Sequence, residues 1–209
     1  MAAESAQTLE RGLHLLRLLA DGRGGRTPTE LAKELGLSRP VVYRLLTTLT
    51  NEGFVRRDSD GRLHLGFGVL VLAQAVQPLL RAAALPTLRR LAEQVGATAH
   101  LTVAEGGDGL AVAVVEPSWT NMHVAYREGS RHPLAKGAAG QAILALREGR
   151  SGFFVTEGQL QEGAKGVAAP VTGLPWLEAS VGVVSFGSLP EGTGEKVVAA
   201  AVELETSLA

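Results

Sequence analysis

The clearest alternation of hydrophobic and polar positions lies between residues 39 and 51. A 3.6-residue period puts four apolar side chains on one side of a helix, Val42, Leu45, Leu46 and Leu49. The opposite side carries polar groups at Tyr43, Arg44, Thr47 and Asn51. Such a helix has one side for a core and another side for contact with a partner.

A second, shorter helix is predicted immediately before it. Thr27 is suited to cap this helix through the amide of Glu30, Pro28 fits the first helical position, and Gly36 supplies a left-handed C-cap. Ser38 is then expected to cap the next helix. Two helices joined by such a turn are typical of a DNA-binding helix-turn-helix, and the alternative is a solvated helical hairpin.

The flanking segments extend this unit. Residues 5–20 predict a packing helix with an apolar stripe, and residues 54–65 predict a β-hairpin that turns at Asp60-Gly61. The hairpin carries arginines at 56, 57 and 62. Three helices and a basic hairpin predict a winged helix over residues 1–66, whose wing contacts phosphates or the minor groove. The alternative for each arginine is plain solvation.

Residues 67–84 separate this unit from the rest of the chain. The run 67–76 is apolar almost all round, so as a helix it belongs in a core or at a dimer interface. Pro78 and Pro86 are expected to interrupt the stretch. We therefore predict a linker and dimerisation segment here.

Residues 85–209 alternate helical and strand-like patterns. Helices are expected at 85–95, 138–147 and 195–208, and strand-like runs at 98–104, 110–116, 122–127, 153–155, 166–171 and 179–186. This order predicts a mainly antiparallel sheet with helices on one face. The fold class of the whole chain is accordingly α+β.

Composition sets limits on function. The 209 residues carry a net charge of −1, which divides into +2 for residues 1–75 and −3 for residues 76–209. DNA binding would therefore depend on placed arginines and on more than one copy of the chain. The sequence has no cysteine, no signal peptide and no apolar run of about 18 residues, so we expect a cytoplasmic protein without a membrane span.

Enzymatic and metal-binding motifs are absent from the sequence. It contains no Walker loop, nucleophile elbow or HExxH, and its five histidines are scattered. His100 and His123 fall on runs that can be neighbouring strands, but a core pair is commoner than a two-ligand metal site. We expect no enzyme, metal or cofactor. A winged helix that binds protein instead of DNA is the remaining rival, and a flat salt response would favour it.

Taken together, the motifs resemble those of the IclR family of bacterial transcription regulators. The resemblance is carried by ELAKELGLS, VVYRLLTTL, EGFVRRD and GRLHLG in the first half, and by EGSRHPLAKGAAGQAILA, GFFVTEGQ and GVAAPV in the second. It implies a winged helix and a GAF-like domain over residues 85–209 that binds a small effector. It also implies a regulator, expected to be a repressor, that binds palindromic operators as a homodimer or a dimer of dimers.

The family's functional positions carry over unevenly. Pro40 and Val41 stand where the recognition helix often has serine or threonine, and the candidate DNA contacts are Ser38, Arg39, Tyr43, Arg44, Thr47, Arg56, Arg57 and Arg62. The candidate effector contacts are Val124, Ala138, Ala139, Thr156, Gly166, Val183 and Ser185. This second set offers few hydrogen-bond donors, and some thirty residues that the family usually has between 147 and 153 are missing. The resemblance thus implies a small, weakly polar effector, or a domain that binds none and serves dimerisation.

Overall fold

The computed structural model describes residues 6–21, 24–119 and 126–209. The chain divides into two compact units, Met1–Val76 and Gln77–Ala209. The division falls inside the segment 67–84 that the sequence predicts as a linker. Each unit is described by itself below.

The first unit is a winged helix-turn-helix, as predicted. Its elements are α1 (Gln7–Asp21), α2 (Pro28–Leu35), α3 (Arg39–Asn51), β1 (Val55–Arg57) and β2 (Leu63–Leu65). One apolar core joins them, with Leu15, Leu31, Val42 and Leu63 fully buried. The turn between α2 and α3 forms because Gly36 adopts the left-handed conformation at φ 63°.

The start of α2 has the predicted capping box. The amide of Glu30 donates to Thr27 Oγ1 at 3.2 Å, and the amide of Thr27 donates to Glu30 Oε2 at 2.6 Å. These two hydrogen bonds satisfy amide groups that have no partner inside the helix. The backbone hydrogen bond from Thr27 holds the pKa of Glu30 below its ordinary value.

Helix α4 (Gly68–Val95) runs without interruption through Pro78 and Pro86. The prediction that the two prolines interrupt this stretch was therefore wrong. A proline removes one amide donor from a helix, but the carbonyl released by Pro78 lies in an exposed stretch where water is available. Gly96, at φ 70°, ends the helix where the sequence predicts.

The length and composition of α4 are also those of a helix able to cross a membrane, with a mean hydropathy of 1.5 in its most apolar 18 residues. No membrane-spanning segment was expected from the sequence. A single helix of this kind is weak support for a membrane protein. Its C-terminal part packs in the core of the second unit, where Ala84, Leu88 and Ala92 are fully buried.

The second unit is built on a six-stranded antiparallel sheet in the order β5-β4-β3-β8-β7-β6. The strands are β3 (Thr98–Glu105), β4 (Asp108–Val115), β5 (Arg131–Pro133), β6 (Phe154–Glu157), β7 (Lys165–Val171) and β8 (Ala179–Ser185). Strand β5 was not predicted. Most of the predicted strand 122–127 lies outside the described residues.

Helices cover both faces of this sheet, not one face as predicted. Helix α5 (Gly137–Arg147) packs on the face that includes Ala168, while α4 and α6 (Thr193–Leu208) pack on the face that includes Val181. Side chains alternate between the two faces along each strand. A shift of one residue therefore moves a side chain from one helix layer to the other.

Candidate functional site

The outward side of α3 is open in the first unit. Tyr43 is 50% exposed, and Arg39 and Arg44 are exposed and form no ion pair with any of the residues that the structure describes. The hydroxyl of Thr47 donates to the carbonyl of Tyr43 at 2.9 Å, which leaves its lone pairs free. Guanidinium groups without acid partners are able to bind phosphates and guanine edges.

Ser38 precedes α3 in the extended conformation of a capping residue, with φ −69° and ψ 147°. Its side chain makes no capping hydrogen bond, so the predicted side-chain cap is absent. Ser38 lies directly before α3, so its exposed hydroxyl is at the start of the helix that carries the outward residues.

The three wing arginines have different surroundings. Arg62 donates from Nε to the carbonyl of Gly24 at 2.8 Å and from Nη2 to that of Gly25 at 2.9 Å. Arg57 Nη1 donates to the carbonyl of Gly61 at 3.1 Å within the wing turn. Arg56 lies over the Phe67 ring, 5.6 Å from its centroid.

Two further wing residues, which were not predicted from the sequence, hold the turn in place: Asp58 and His64. Asp58 Oδ1 accepts from the amides of Asp60 at 3.0 Å and Arg62 at 2.8 Å, and its Oδ2 lies 2.6 Å from His64 Nε2. The hydrogen bond to His64 lowers the pKa of Asp58. The available sequence signal was an aspartate three residues before the turn glycine Gly61, since such a side chain often accepts from the amides that follow it.

The second unit contains a cavity of about 230 Å³ between the start of α5 and the sheet. Four predicted effector contacts line it: Ala138, Ala139, Thr156 and Gly166. Thr156 and Gly166 are register partners on β6 and β7. Small residues form this wall, and a Cβ on Gly166 would lie 3.4 Å from that of Ala138.

The other three predicted contacts do not line the cavity in the described structure. Val183 is fully buried in the core on the opposite face of the sheet, and Ser185 accepts from the amide of Gly187 at 3.0 Å. Val184, one position along β8, faces the cavity instead. The prediction chose the wrong alternate residue on this strand. Val124 lies outside the described residues.

The polar side of the cavity was not predicted from the sequence. His100, Tyr126 and His132 line it as a ring cluster, with centroids 4.9 Å apart for His100 and Tyr126 and 6.3 Å apart for Tyr126 and His132. His100 Nδ1 lies 3.1 Å from the hydroxyl of Thr102. Burial, together with the nearby His132, lowers the pKa of His100 from 6.5 to about 3, and burial raises the pKa of Tyr126. The premise that the cavity offers few polar groups was therefore wrong.

Two further polar side chains at the cavity already have partners. Arg131 forms ion pairs with Glu105 and, at 4.0 Å, with Asp108. Gln159 Oε1 accepts from the amide of Gly137 at 2.9 Å and from Gln141 Nε2 at 3.2 Å.

Across the described ranges, no group of three or more histidine, aspartate or glutamate side chains is placed to bind a metal ion. His123, the proposed neighbour of His100, falls outside those ranges. The absence of metal ligands and cofactors stays a prediction.

Two family models match the chain. The IclR helix-turn-helix domain matches residues 8–59, and the C-terminal domain of the bacterial transcriptional regulator IclR matches residues 73–151. Together the two matches cover more than half of the chain. The second match ends just before β6, near the shortened connection described above.

The sequence of an individual protein of this family is also similar to that of the chain. The transcriptional repressor IclR of Escherichia coli is 32% identical over 148 residues, which is 69% of this chain and 54% of that protein. The chain thus spans about half the length of the curated relatives it matches.

Two solved structures have similar folds. An IclR transcriptional regulator from Alicyclobacillus acidocaldarius is 22% identical with a TM-score of 0.55, over 99% of this chain and 100% of the other. An IclR homolog from Microbacterium hydrocarbonoxydans, in complex with 4-hydroxybenzoate, is 20% identical with a TM-score of 0.55, over 96% of this chain and 98% of that one. At these identities the likeness concerns the fold alone.

Proposed function

The chain belongs to the IclR family, and from this premise we propose that it is a sequence-specific transcriptional regulator that represses through double-stranded DNA. The observation that carries the proposal is the open side of α3, where Arg39 and Arg44 form no ion pair with described residues. A helix in this position of a winged helix enters the major groove, where arginines read guanine edges. Ser38, Tyr43 and Thr47 are the further proposed contacts of α3.

The wing is assigned two roles. Arg56 and Arg57 are exposed and reach the DNA backbone beside the recognition helix in the proposed complex. Arg62 fixes the wing to the loop before α2, because its donors are engaged by the carbonyls of Gly24 and Gly25. Its contribution to DNA binding is therefore mostly indirect.

We propose a homodimer, or a dimer of dimers, on a palindromic operator. The first half of α4 and the residue before it expose several large apolar side chains, each more than half exposed: Phe67, Leu70, Val71, Leu72, Val76 and Leu79. Water contact with so much apolar surface is unfavourable, and a second copy of α4 would remove it. A dimer also supplies the second half-site that a weakly basic domain requires. The proposed location is cytoplasmic.

The second unit is proposed to bind a small effector in the cavity between α5 and the sheet. Its volume of about 230 Å³ and its mixture of small and polar lining residues suit a compact organic molecule. The alternative is a domain that binds no effector and serves dimerisation. The shortened connection between α5 and β6 favours that alternative.

The direct experiment is selection of genomic fragments by the purified chain, followed by binding at several salt concentrations. Phosphate contacts predict a steep, log-linear loss of affinity with salt. A regulator is expected to enrich a palindromic sequence and to show that slope. No enrichment together with a flat salt response would reject the DNA-binding function.

A further inference from the structure

We infer that the cavity of the second unit takes an uncharged, hydroxyl-bearing ligand in preference to a carboxylate. This inference rests on the proposed role of that unit as an effector-binding domain. It follows from three features of the cavity: a compensated cation, a helix whose first amide is already engaged, and a buried acceptor without a partner.

The first feature is that the charge of Arg131 is already balanced. Arg131 is the only arginine or lysine that lines the cavity in the described part of the chain, and it pairs with Glu105 and Asp108. A carboxylate in the cavity would have to compete with both acids for this guanidinium. Loss of water from a carboxylate is strongly unfavourable unless charged or strong donors replace that water.

The second feature is that the first amide of α5 already has an acceptor. A helix N-terminus ordinarily attracts anions through its free amides and its dipole. Here the amide of Gly137 donates to Gln159 Oε1 at 2.9 Å, and Gln141 donates to the same oxygen. A neutral amide oxygen thus already engages the first amide of this helix end.

The third feature is His132, which is 94% buried and whose Nε2 makes no hydrogen bond with the described residues. Its Nδ1 lies 3.3 Å from the carbonyl of Pro133, which can only accept. Nδ1 is therefore assigned the proton, and Nε2 of the neutral ring is an acceptor. A hydroxyl on the ligand supplies the missing donor, whereas a carboxylate supplies none.

The neighbouring Tyr126 completes the site. Its buried hydroxyl forms no well-aligned hydrogen bond with the described residues, although the side chain of Thr102 lies near enough to act on its pKa, so it can donate to a ligand oxygen. His100, whose pKa is lowered to about 3 by burial, adds no positive charge at neutral pH. Buried polar groups without partners are costly, and a bound hydroxyl would satisfy both.

The test is isothermal titration of the full chain with two matched probes, benzyl alcohol and benzoate, at neutral pH. The two share a phenyl ring, and they differ in whether the second group is a neutral hydroxyl donor or a carboxylate without a proton. We expect the alcohol to bind at least about tenfold more tightly than the benzoate. Equal or tighter binding of the benzoate, or binding of neither probe at millimolar concentration, overturns the inference.

Variants separate the contributions. Glu105→Gln combined with Asp108→Asn frees Arg131 and is expected to improve benzoate binding with little change for the alcohol. His132→Phe removes the acceptor and is expected to weaken alcohol binding about tenfold. His132→Gln, which keeps an acceptor on a polar side chain, serves if the phenylalanine variant does not fold. Unchanged alcohol binding in a folded His132 variant counts against the site.

DNA binding is measured on the same samples, so that the two proposals fail separately. Salt-dependent DNA binding with benzoate preferred rejects the inference and leaves the regulator intact. Alcohol preference without DNA binding supports the cavity assignment and rejects the regulatory function.

Discussion

Arg62 Nη2 donates to the backbone carbonyl of Gly25 at 2.9 Å, across 37 positions of the chain. This hydrogen bond ties the return strand of the wing to the loop that precedes α2. The loop carbonyl of Gly24 is held by the same guanidinium at 2.8 Å. An arginine that looks like a DNA contact in the sequence is thus part of the structure that positions the wing.

Arg62→Ala is therefore expected to loosen the wing, because two backbone carbonyls lose their donor. We expect the free energy of opening the Arg26 and Leu63 amides, which bridge loop and wing, to fall by about 1 to 2 kcal/mol. Hydrogen exchange of these two amides is the measurement. Arg56→Ala is the matched control, since its guanidinium lies over Phe67. Equal protection in the two variants would contradict the positioning role.

Arg44→Ala tests the recognition helix. If this free guanidinium reads a guanine, its loss costs about 1 to 3 kcal/mol of specific binding and relaxes specificity at one operator position. Fluorescence anisotropy with a selected operator measures the cost. Arg89→Ala, an exposed arginine of the second unit, provides the control and is expected to leave affinity unchanged. Wild-type affinity and specificity in Arg44→Ala would remove it from the interface.

Leu70→Glu tests the proposed dimer. Leu70 is 58% exposed on α4, and a carboxylate facing its own copy in a second subunit is both desolvated and repelled. We expect the variant to be a monomer in sedimentation equilibrium, where the wild type is a dimer. We expect its affinity for the operator to fall as a result. Val202→Glu, a change at an equally exposed position on α6, is expected to leave the dimer in place. A monomeric wild-type chain would reject the interface outright.

The low pKa of His100 predicts a pH dependence for the second unit. Because the folded state holds the pKa near 3 while the unfolded chain titrates near 6.5, the unfolded state binds more protons in between, and stability falls as pH decreases through that window. The loss from this one group is about 3 kcal/mol between neutral pH and about pH 4.

Urea unfolding followed by tryptophan fluorescence reports on this unit, because Trp119 and Trp176 both lie in it. Carboxyl groups with lowered pKa values, such as Glu178 beside Arg147, also make the folded state less stable in acid. The pH profile of the wild type is therefore compared with that of His100→Leu, which isolates the contribution of the histidine. The variant is expected to lose less stability in the window. Identical pH profiles would show that His100 does not titrate as described.

Pro78→Ala tests the continuity of α4. Alanine restores an amide donor and is a better helix former, so we expect the free energy of unfolding to rise by about 1 to 3 kcal/mol. Circular dichroism during thermal unfolding measures the gain. Pro175→Ala, in an exposed turn, is the control that is expected to give none. No gain at Pro78 would indicate that the helix is already interrupted there.

The winged helix was predictable because its signals are local. The capping box at Thr27, the left-handed Gly36 and the period of Val42 and Leu46 each act within a few residues. The same holds for the helix end at Gly96. Such signals survive in any tertiary context that does not oppose them.

The cavity was not predictable in the same way. Which of Val183 and Val184 faces α5 depends on the register of β8 against β7, and period-two patterns do not reveal a face when both faces are buried. The position of His132 depends on β5, a strand of only three residues that pairs with its neighbour β4 at the edge of the sheet. The continuity of α4 through Pro78 reflects solvent access, which the sequence does not display.

The two outermost strands of the six-stranded sheet are short, with three residues in β5 and four in β6. Pro133 ends β5 without an amide hydrogen, and the charged Glu157 ends β6. Few backbone groups are left at either border to recruit a strand from another molecule. The sheet is thereby protected against edge-to-edge aggregation, and the exposed apolar side chains of the first half of α4 remain available for contact with a second copy.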